Sequence, residues 1–277
     1  MEGGKLKMKL FNWFRDRQLN QIVEDLVSRD EKCQELIARI ESTYKFKMRP
    51  LNLNSISSYF LIDMLERAFT EGNIHTLPSE TVALDVGIGK WRYAPALLAF
   101  LKSWKESRKV YLGGIDFPSR HHKKSVIQLQ EKWDLDVHWN DVMDLNQESK
   151  YDIIFLIHML SGPRHCRSFK VPYHRPSSMF PHIQSLGKPS SLLVVVAYTW
   201  AGESAIINYF ARESRLTEFV YWPQIGKELI SVAENRFGFH DNRICISKSP
   251  YVDLEACKEQ EKETEEWDAL LDKTLGH

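Results

Sequence analysis

A glycine-containing turn after an apolar strand is the segment of this sequence best suited to hold a small molecule. The strand-like run 81–86 leads through Asp85 into Gly87-Ile88-Gly89. Spaced glycines let the backbone approach a ligand closely, and the helix that follows offers free N–H groups. A second strand-like run ends at Asp116, 31 residues after Asp85, where a carboxylate can accept both hydroxyls of a ribose. Together the two segments indicate a site for a nucleoside-containing cofactor.

The elements that would position these residues alternate between strands and helices. Strand-like runs are expected at six places: 81–86, 109–115, 135–139, 151–157, 191–198 and 243–247. Helical sequence lies between them, for example at 125–133 and 227–237. The fourth and fifth runs are continuous and apolar, as strands buried on both faces are. Because such alternation indicates parallel strands, we expect an α/β fold with a Rossmann-like, doubly wound, mostly parallel sheet.

Three further parts of the chain surround this core. Mostly helical sequence at 1–80 predicts an N-terminal helical extension, serving as a lid or as a partner surface. The core, 81–250, carries an irregular, proline-rich insertion at 160–190 and an aromatic, helical insertion at 203–223. Residues 251–277 predict an acidic C-terminal helix. We expect the basic start and the acidic end to be solvated, with pairing between them as the alternative.

The composition excludes several classes of protein. The 277 residues are 43% hydrophobic, and 37 basic residues balance 37 acidic ones. The chain can therefore bury a core but has no net field that would attract nucleic acid. The four cysteines form no Cys-x-x-Cys pair, and the histidine spacings match no standard metal site. We therefore expect no bound metal. No membrane-spanning run or signal peptide is evident, so we expect a cytoplasmic protein.

The glycine turn resembles the first motif of the class I S-adenosylmethionine-dependent methyltransferases. That motif is an apolar strand followed by acid-x-Gly-x-Gly-x-Gly. Asp85, Gly87 and Gly89 match it, whereas Trp91 replaces the third glycine. Family members also commonly carry an acid at the end of the second strand, as this sequence does at Asp116.

The later strands extend the resemblance. Asn140-Asp141-Val142 follows the third strand-like run, and Tyr151-Asp152 opens the fourth with the aromatic–acid pair typical of the family. The resemblance covers residues 81–160 well and 191–248 loosely. The alternative is a nicotinamide-dependent oxidoreductase, whose motif is G-x-G-x-x-G with an acid about 20 residues later. Here Arg92 stands at the last glycine of that motif, and the acid comes later.

The resemblance implies S-adenosyl-L-methionine as the cofactor and S-adenosyl-L-homocysteine as its product. Asp85 would organise the loop or contact the methionine amine through water, and the two glycines would lie against the cofactor. Asp116 would bind the ribose hydroxyls. Asp141 would meet the adenine amine, and Val142 would pack on the adenine ring.

The methyl acceptor would bind beyond the carboxyl ends of the fourth and fifth strands, where ligands of open α/β sheets lie. His158 follows the fourth strand and could act as a general base or hold the acceptor; a core histidine is the alternative. Tyr198, at the end of the fifth strand, is the second candidate catalytic residue, although it could be a core residue. Four further residues are candidates for substrate binding: His165, Tyr173, Trp200 and Glu203.

These observations predict a methyltransferase that acts on an O or N atom of a small molecule, of the metabolite or natural-product type. A protein or peptide methyltransferase, with the helical extension binding its partner, and a non-catalytic cofactor-binding module are the alternatives. A homodimer formed through the N-terminal helices is also open. One expectation of the family is unmet in the sequence, because its usual final antiparallel hairpin has no second strand after 243–247.

Overall fold

The computed structural model describes residues 18, 20–104, 109–117, 120–133, 135–158, 166, 171–198, 204–223 and 242–275. Within them, seven strands form one sheet: β1 (Glu80–Val86), β2 (Lys109–Ile115), β3 (Asp136–His138), β4 (Tyr151–Ile157), β5 (Gly187–Tyr198), β6 (Arg215–Tyr221) and β7 (Asn242–Lys248). The helices are α1 (20–29), α2 (Glu31–Tyr44), α3 (Leu53–Glu71), α4 (Ala94–Ser103), α5 (Arg120–Trp133), α6 (Pro176–Leu186) and α7 (Leu254–Leu275). Short 3-10 helices occur at Val142–Asp144, Ser204–Tyr209 and Arg212–Ser214.

The order of the strands is β3-β2-β1-β4-β5-β7-β6. The first five strands are parallel, and β7 runs antiparallel to both β5 and β6. The predicted Rossmann-like, mostly parallel α/β sheet is therefore confirmed. From β1 to β3 the chain moves towards one edge of the sheet, and from β4 to β6 it moves towards the other edge. The strand order therefore reverses between β1 and β4. Open α/β sheets bind ligands at such a switch point, outside the carboxyl ends of the strands.

The prediction of a helical insertion at 203–223 is wrong for residues 215–221, which form β6. This strand completes the antiparallel hairpin with β7 that the sequence analysis could not find. Its stabilising contacts are distant in sequence: the Tyr221 hydroxyl donates a hydrogen bond to Asp63 at 2.6 Å, and the Arg67 guanidinium lies 4.5 Å from the Phe219 ring centroid. Phe219 and Tyr221 thus contact α3, which a local pattern does not reveal.

The expectation of an irregular loop across 160–190 is wrong for residues 176–186, which form α6. Prolines indicated a loop, yet Pro176 occupies the first turn of the helix, where a missing N–H costs nothing. Met179, Phe180 and Ile183 of α6 are buried against the sheet. This apolar face explains why the segment is helical in spite of Pro181.

Two helical layers enclose the sheet. Helices α1 to α5 cover one face, where they pack on Ala83, Phe155 and Val194 of the strands. Helices α6 and α7, with the 3-10 helix Ser204–Tyr209, cover the other face. The described helices of the N-terminal extension therefore form part of one layer, and a role as lid or partner surface remains a proposal. Among the described helices, none combines the length and apolar character that crossing a bilayer requires.

The acidic helix α7 is joined to the start of α6. The Glu261 side chain is buried and accepts a hydrogen bond from the Ser177 N–H in the first turn of α6. Glu265 lies 3.5 Å from the Arg175 guanidinium. These contacts place an acid at a helix N-terminus, where it is favoured. The basic residues before position 18, proposed as alternative partners of the acidic end, lie outside the described residues.

Candidate functional site

The glycine turn between β1 and α4 has the backbone that its sequence predicts. Gly87 has φ 77° and Gly89 has φ 53°, a left-handed conformation that glycine adopts without steric cost. The Gly87 N–H donates to the Ile115 carbonyl at 2.9 Å, which ties the turn to the end of β2. A Cβ atom added at Gly89 would meet no atom within 4 Å. The turn therefore presents bare backbone to open space at the switch point of the sheet.

Trp91, which stands where the methyltransferase motif has its third glycine, folds underneath this turn. Its φ is 48°, unusual for a bulky residue, and its side chain is buried. The indole Nε1 donates a hydrogen bond to Asp85 at 2.9 Å. The ring also covers Gly114 of β2 so closely that a Cβ there would lie 2.7 Å from Trp91 Cζ2. Gly114 has no side chain of its own and therefore leaves room for the indole beside β2.

Asp85 lies beneath the turn and is buried. Burial raises the pKa of its carboxyl to about 8, with Trp91 opposing the rise and the Asp116 charge adding to it. Of the two roles inferred for Asp85, its bond to Trp91 favours the first, which is to organise the loop.

The pKa of Asp85 predicts a pH dependence of stability that Asp85→Asn should remove. The folded state retains a proton that the unfolded chain releases near pH 4. This contribution to stability is therefore fully present below about pH 4, declines as the pH rises, and is lost above about pH 8. Asparagine is neutral at every pH and keeps an acceptor for the Trp91 N–H.

Urea unfolding of wild type and Asp85→Asn at pH 5, 7 and 9 measures this effect. We expect the variant to gain about 1.4 kcal/mol or more relative to wild type between pH 5 and pH 9, the equivalent of at least one pKa unit. Parallel stability curves for the two proteins would contradict a raised pKa at Asp85.

Asp116 connects the end of β2 to the glycine turn. Its Oδ2 accepts a hydrogen bond from the Gly89 N–H at 2.5 Å, and its Oδ1 accepts one from the Phe117 N–H at 2.7 Å. Carboxylate oxygens have two acceptor positions each, so these bonds leave capacity for ligand hydroxyls. Gly89 and Asp116, two of the predicted cofactor residues, therefore lie together, and the turn fixes the orientation of the Asp116 carboxylate.

Asp141 and Val142, the predicted adenine side of the site, are held by the segment that leads into α6. Asp141 caps the 3-10 helix Val142–Asp144, and its Oδ1 accepts from the Met143 N–H at 3.0 Å. Its Oδ2 lies 2.6 Å from Nε2 of His174. The His182 ring is hydrogen-bonded to the Val142 carbonyl at 2.9 Å. In the sequence, both histidines were assigned to an irregular loop, and these hydrogen bonds of His174 and His182 were not predicted.

His158 lies just beyond β4, across the switch point from the glycine turn. Its φ is 51°, and its N–H donates to the Val196 carbonyl of β5 at 2.8 Å. Histidine tolerates the left-handed region better than most residues, and such backbone is frequent at functional sites. The Tyr93 ring, from the start of α4, lies 6.2 Å from the His158 ring. Sequence reasoning missed Tyr93, although its place directly after the glycine turn could have indicated it.

Arg92 and Asn54 continue this side of the site. The Arg92 guanidinium lies 5.0 Å from the Tyr93 ring centroid and donates a hydrogen bond to Asn54 Oδ1 at 3.2 Å. Asn54 belongs to the first turn of α3, so the N-terminal extension contributes a side chain here. Neither residue was a predicted site residue.

The remaining predicted residues are placed as follows. Tyr198 is the last residue of β5, and its backbone pairs with Asn242 of β7. Tyr173 is half-buried, and burial raises its pKa to about 12, with the charges of Glu261 and Glu265 on α7 adding to the rise. The other candidates for substrate binding lie outside the described residues: His165, Trp200 and Glu203.

No family model matches the sequence, and no curated protein matches it. Among solved structures, it is similar to the magnesium protoporphyrin IX methyltransferase of Synechocystis PCC 6803 with bound SAM, at 15% identity over 83% of this chain and 96% of that one, with a TM-score of 0.43. It is also similar to the N-methyltransferase NodS of Bradyrhizobium japonicum WM9 in complex with S-adenosyl-L-homocysteine, at 12% identity over 78% and 98% of the two chains, with a TM-score of 0.44. A protein from Galdieria sulphuraria described as a sarcosine dimethylglycine methyltransferase shares 9% identity over 77% and 98%, with a TM-score of 0.45.

The seven-stranded sheet, with five parallel strands and β7 antiparallel to both of its neighbours, is a Rossmann-like α/β sheet. Because a fold hosts many activities, function has to be argued from the residues of the site.

Proposed function

We propose that the protein is an S-adenosylmethionine-dependent methyltransferase acting on an O or N atom of a small molecule. One observation carries this proposal. The open, left-handed backbone at Gly89 and the Asp116 carboxylate are hydrogen-bonded to each other at the switch point of the sheet. Bare backbone beside an acid that can accept ribose hydroxyls suits a nucleoside-containing cofactor.

The chain offers partners for the ribose and adenine parts of such a cofactor. Backbone at Gly87 and Gly89 would lie against it, and Asp116 would accept hydrogen bonds from the ribose hydroxyls. Asp141 would accept one from the adenine amine, and Val142 would pack on the adenine ring. When bound, S-adenosylmethionine supplies an electrophilic methyl group. Positioning of the acceptor against that group provides much of the acceleration of a methyl transfer.

On the acceptor side, the rings of His158 and Tyr93 lie near each other at the end of β4. His158 would hold the acceptor or take the proton from its O–H or N–H group, a step that only weak nucleophiles require. Asn54 brings the start of α3 to the same region, and the extension would help to exclude water there.

Isothermal titration calorimetry with S-adenosyl-L-homocysteine and with NAD tests the proposed function. We expect the full-length protein to bind S-adenosyl-L-homocysteine and not NAD. Binding of NAD alone would favour the oxidoreductase alternative, and binding of neither would contradict the proposal. Transfer of a labelled methyl group to any member of a small-molecule library would separate an enzyme from a non-catalytic binding module.

His174 provides a second test, because it holds the Asp141 carboxylate. His174→Ala is expected to lower the affinity for S-adenosyl-L-homocysteine about 3- to 10-fold, since a hydrogen bond to a charged group contributes about 1.5–3 kcal/mol and part of it is replaced by water. His174→Gln keeps an N–H donor and should restore most of the affinity. Calorimetry measures both. An affinity that rises in His174→Ala would instead show that His174 competes with the cofactor for Asp141.

A further inference from the structure

The strongest unassigned feature at the acceptor side is the Arg92 guanidinium. Resting on the function proposed above, we infer that Arg92 forms an anion subsite and that the methyl acceptor is an aromatic acid, with a carboxylate or phosphate bound by Arg92 and a ring beside Tyr93 and His158.

The position of Arg92 in the fold is the first argument. Arg92 follows the glycine turn directly and comes just before α4, at the carboxyl end of β1. Val86 of β1 pairs with Leu156 of β4, so the turn and His158 leave the sheet at the same level. A side chain at this place borders the switch point, where the ligands of such sheets bind.

The charge of Arg92 is the second argument. Its contacts in the described residues are an amide oxygen of Asn54 and the face of Tyr93, both uncharged. Six other arginines of the described chain have carboxylate partners: Arg39, Arg49, Arg67, Arg175, Arg215 and Arg243. Neither of the two contacts of Arg92 neutralises its positive charge, so the guanidinium can attract an oxyanion through its remaining N–H donors.

The orientation of Arg92 is the third argument. Asn54 lies in a turn that a capping box fixes: Asn52 Oδ1 accepts from the Ser55 N–H at 3.0 Å, and the Ser55 hydroxyl accepts from the Asn52 N–H at 2.7 Å. The guanidinium also lies over the ring of its neighbour Tyr93. The contact with Asn54, 38 residues earlier in the chain, thus restricts the guanidinium together with Tyr93, and such preorganisation lowers the entropic cost of binding an anion.

The rings of Tyr93 and His158 are the fourth argument, because an aromatic surface favours an acceptor that is itself aromatic. The Tyr93 ring centroid lies 5.0 Å from the guanidinium carbon and 6.2 Å from the His158 ring centroid, with a 47° tilt between the two rings. A planar molecule resting against these rings could place an acidic group at Arg92 while its O–H or N–H group faces His158. Offset or tilted aromatic contacts at this spacing are favourable.

Binding of three matched probes tests the inference: benzoate, phenyl phosphate and uncharged benzamide, each measured with and without saturating S-adenosyl-L-homocysteine. We expect wild type to bind at least one of the two anions about tenfold or more tightly than benzamide, the effect of one charge-assisted hydrogen-bond pair. Arg92→Gln should abolish this preference. Arg92→Lys should keep part of it, because an ammonium group retains the charge without the planar fork. The tighter of the two anions identifies the acidic group.

Lys102→Gln is the matched control, because Lys102 is an exposed cation at the far end of α4. It should retain the full preference for the anions. Equal binding of all three probes by wild type, or an unchanged preference in Arg92→Gln, would overturn the inference. If Arg92→Gln does not fold, the wild-type comparison and Arg92→Lys still decide.

Failure of the proposed function looks different. Wild type would then not bind S-adenosyl-L-homocysteine, whereas the probe measurements made without it would still report on the anion subsite.

Discussion

Replacement of Trp91 by glycine is expected to destabilise the protein by about 3 kcal/mol or more, although it gives the turn the third glycine of the methyltransferase motif. Glycine would relieve the left-handed backbone at this position by about 1 kcal/mol. Loss of the buried indole, however, opens a cavity against Gly114 and removes the hydrogen-bond donor from buried Asp85. Removal of a buried tryptophan ordinarily costs about 3–5 kcal/mol, so packing outweighs the backbone term.

Urea unfolding measures this difference, with Lys45→Gly as the matched control. Lys45 has φ 53° at the C-terminal end of α2, and its side chain is exposed. Glycine there should leave stability unchanged or raise it by about 1 kcal/mol or less, because it relieves the same backbone strain without removing packing. A small effect in both variants would mean that the indole contributes little packing beneath the turn.

The second large effect is expected at Asp116. Asp116→Ala should lower the affinity for S-adenosyl-L-homocysteine about 100-fold or more, since two ribose hydroxyls lose a charged acceptor that contributes about 1.5–3 kcal/mol for each hydrogen bond. The same change leaves the Gly89 N–H without its carboxylate partner, so the turn loses its fixed orientation as well. Asp116→Asn keeps one oxygen acceptor and should fall between wild type and Asp116→Ala.

Calorimetric titration of the three proteins measures this order, and Asp136→Ala serves as the control. Asp136 lies at the start of β3 with an exposed side chain, and its Oδ2 is 3.4 Å from Nε2 of His138. Its removal should leave the affinity unchanged. Equal affinities of wild type and Asp116→Ala would contradict the ribose assignment of Asp116.

The proposed cofactor residues could be brought together from the sequence because their signals are local. Asp85, Gly87 and Gly89 are adjacent in the chain, and Asp116 ends the next strand, so an apolar strand followed by glycine or acid places each of them. Parallel strands then bring their carboxyl ends together without further information. The Rossmann-like sheet was predictable for the same reason, since buried parallel strands are continuous apolar runs.

The parts that the sequence did not predict depend on contacts between distant residues. Residues 215–221 form an edge strand because Tyr221 and Phe219 meet Asp63 and Arg67 of α3. The hydrogen bond between His174 and Asp141 joins residues 33 positions apart. Arg92 was noticed only as a mismatch to a dinucleotide motif, since its proposed role depends on Asn54, 38 residues earlier, and on the approach of His158 to Tyr93, which the folded chain provides.

The packing of α3 on the final hairpin has a consequence for synthesis of the chain. Tyr221 follows Asp63 by 158 residues, which takes about 8–30 s to translate at 5–20 residues per second. During that interval the apolar face of α3 has left the ribosome without the strand that covers it. Because α3 is complete before β6 is made, the nascent chain exposes hydrophobic surface of the kind that chaperones bind.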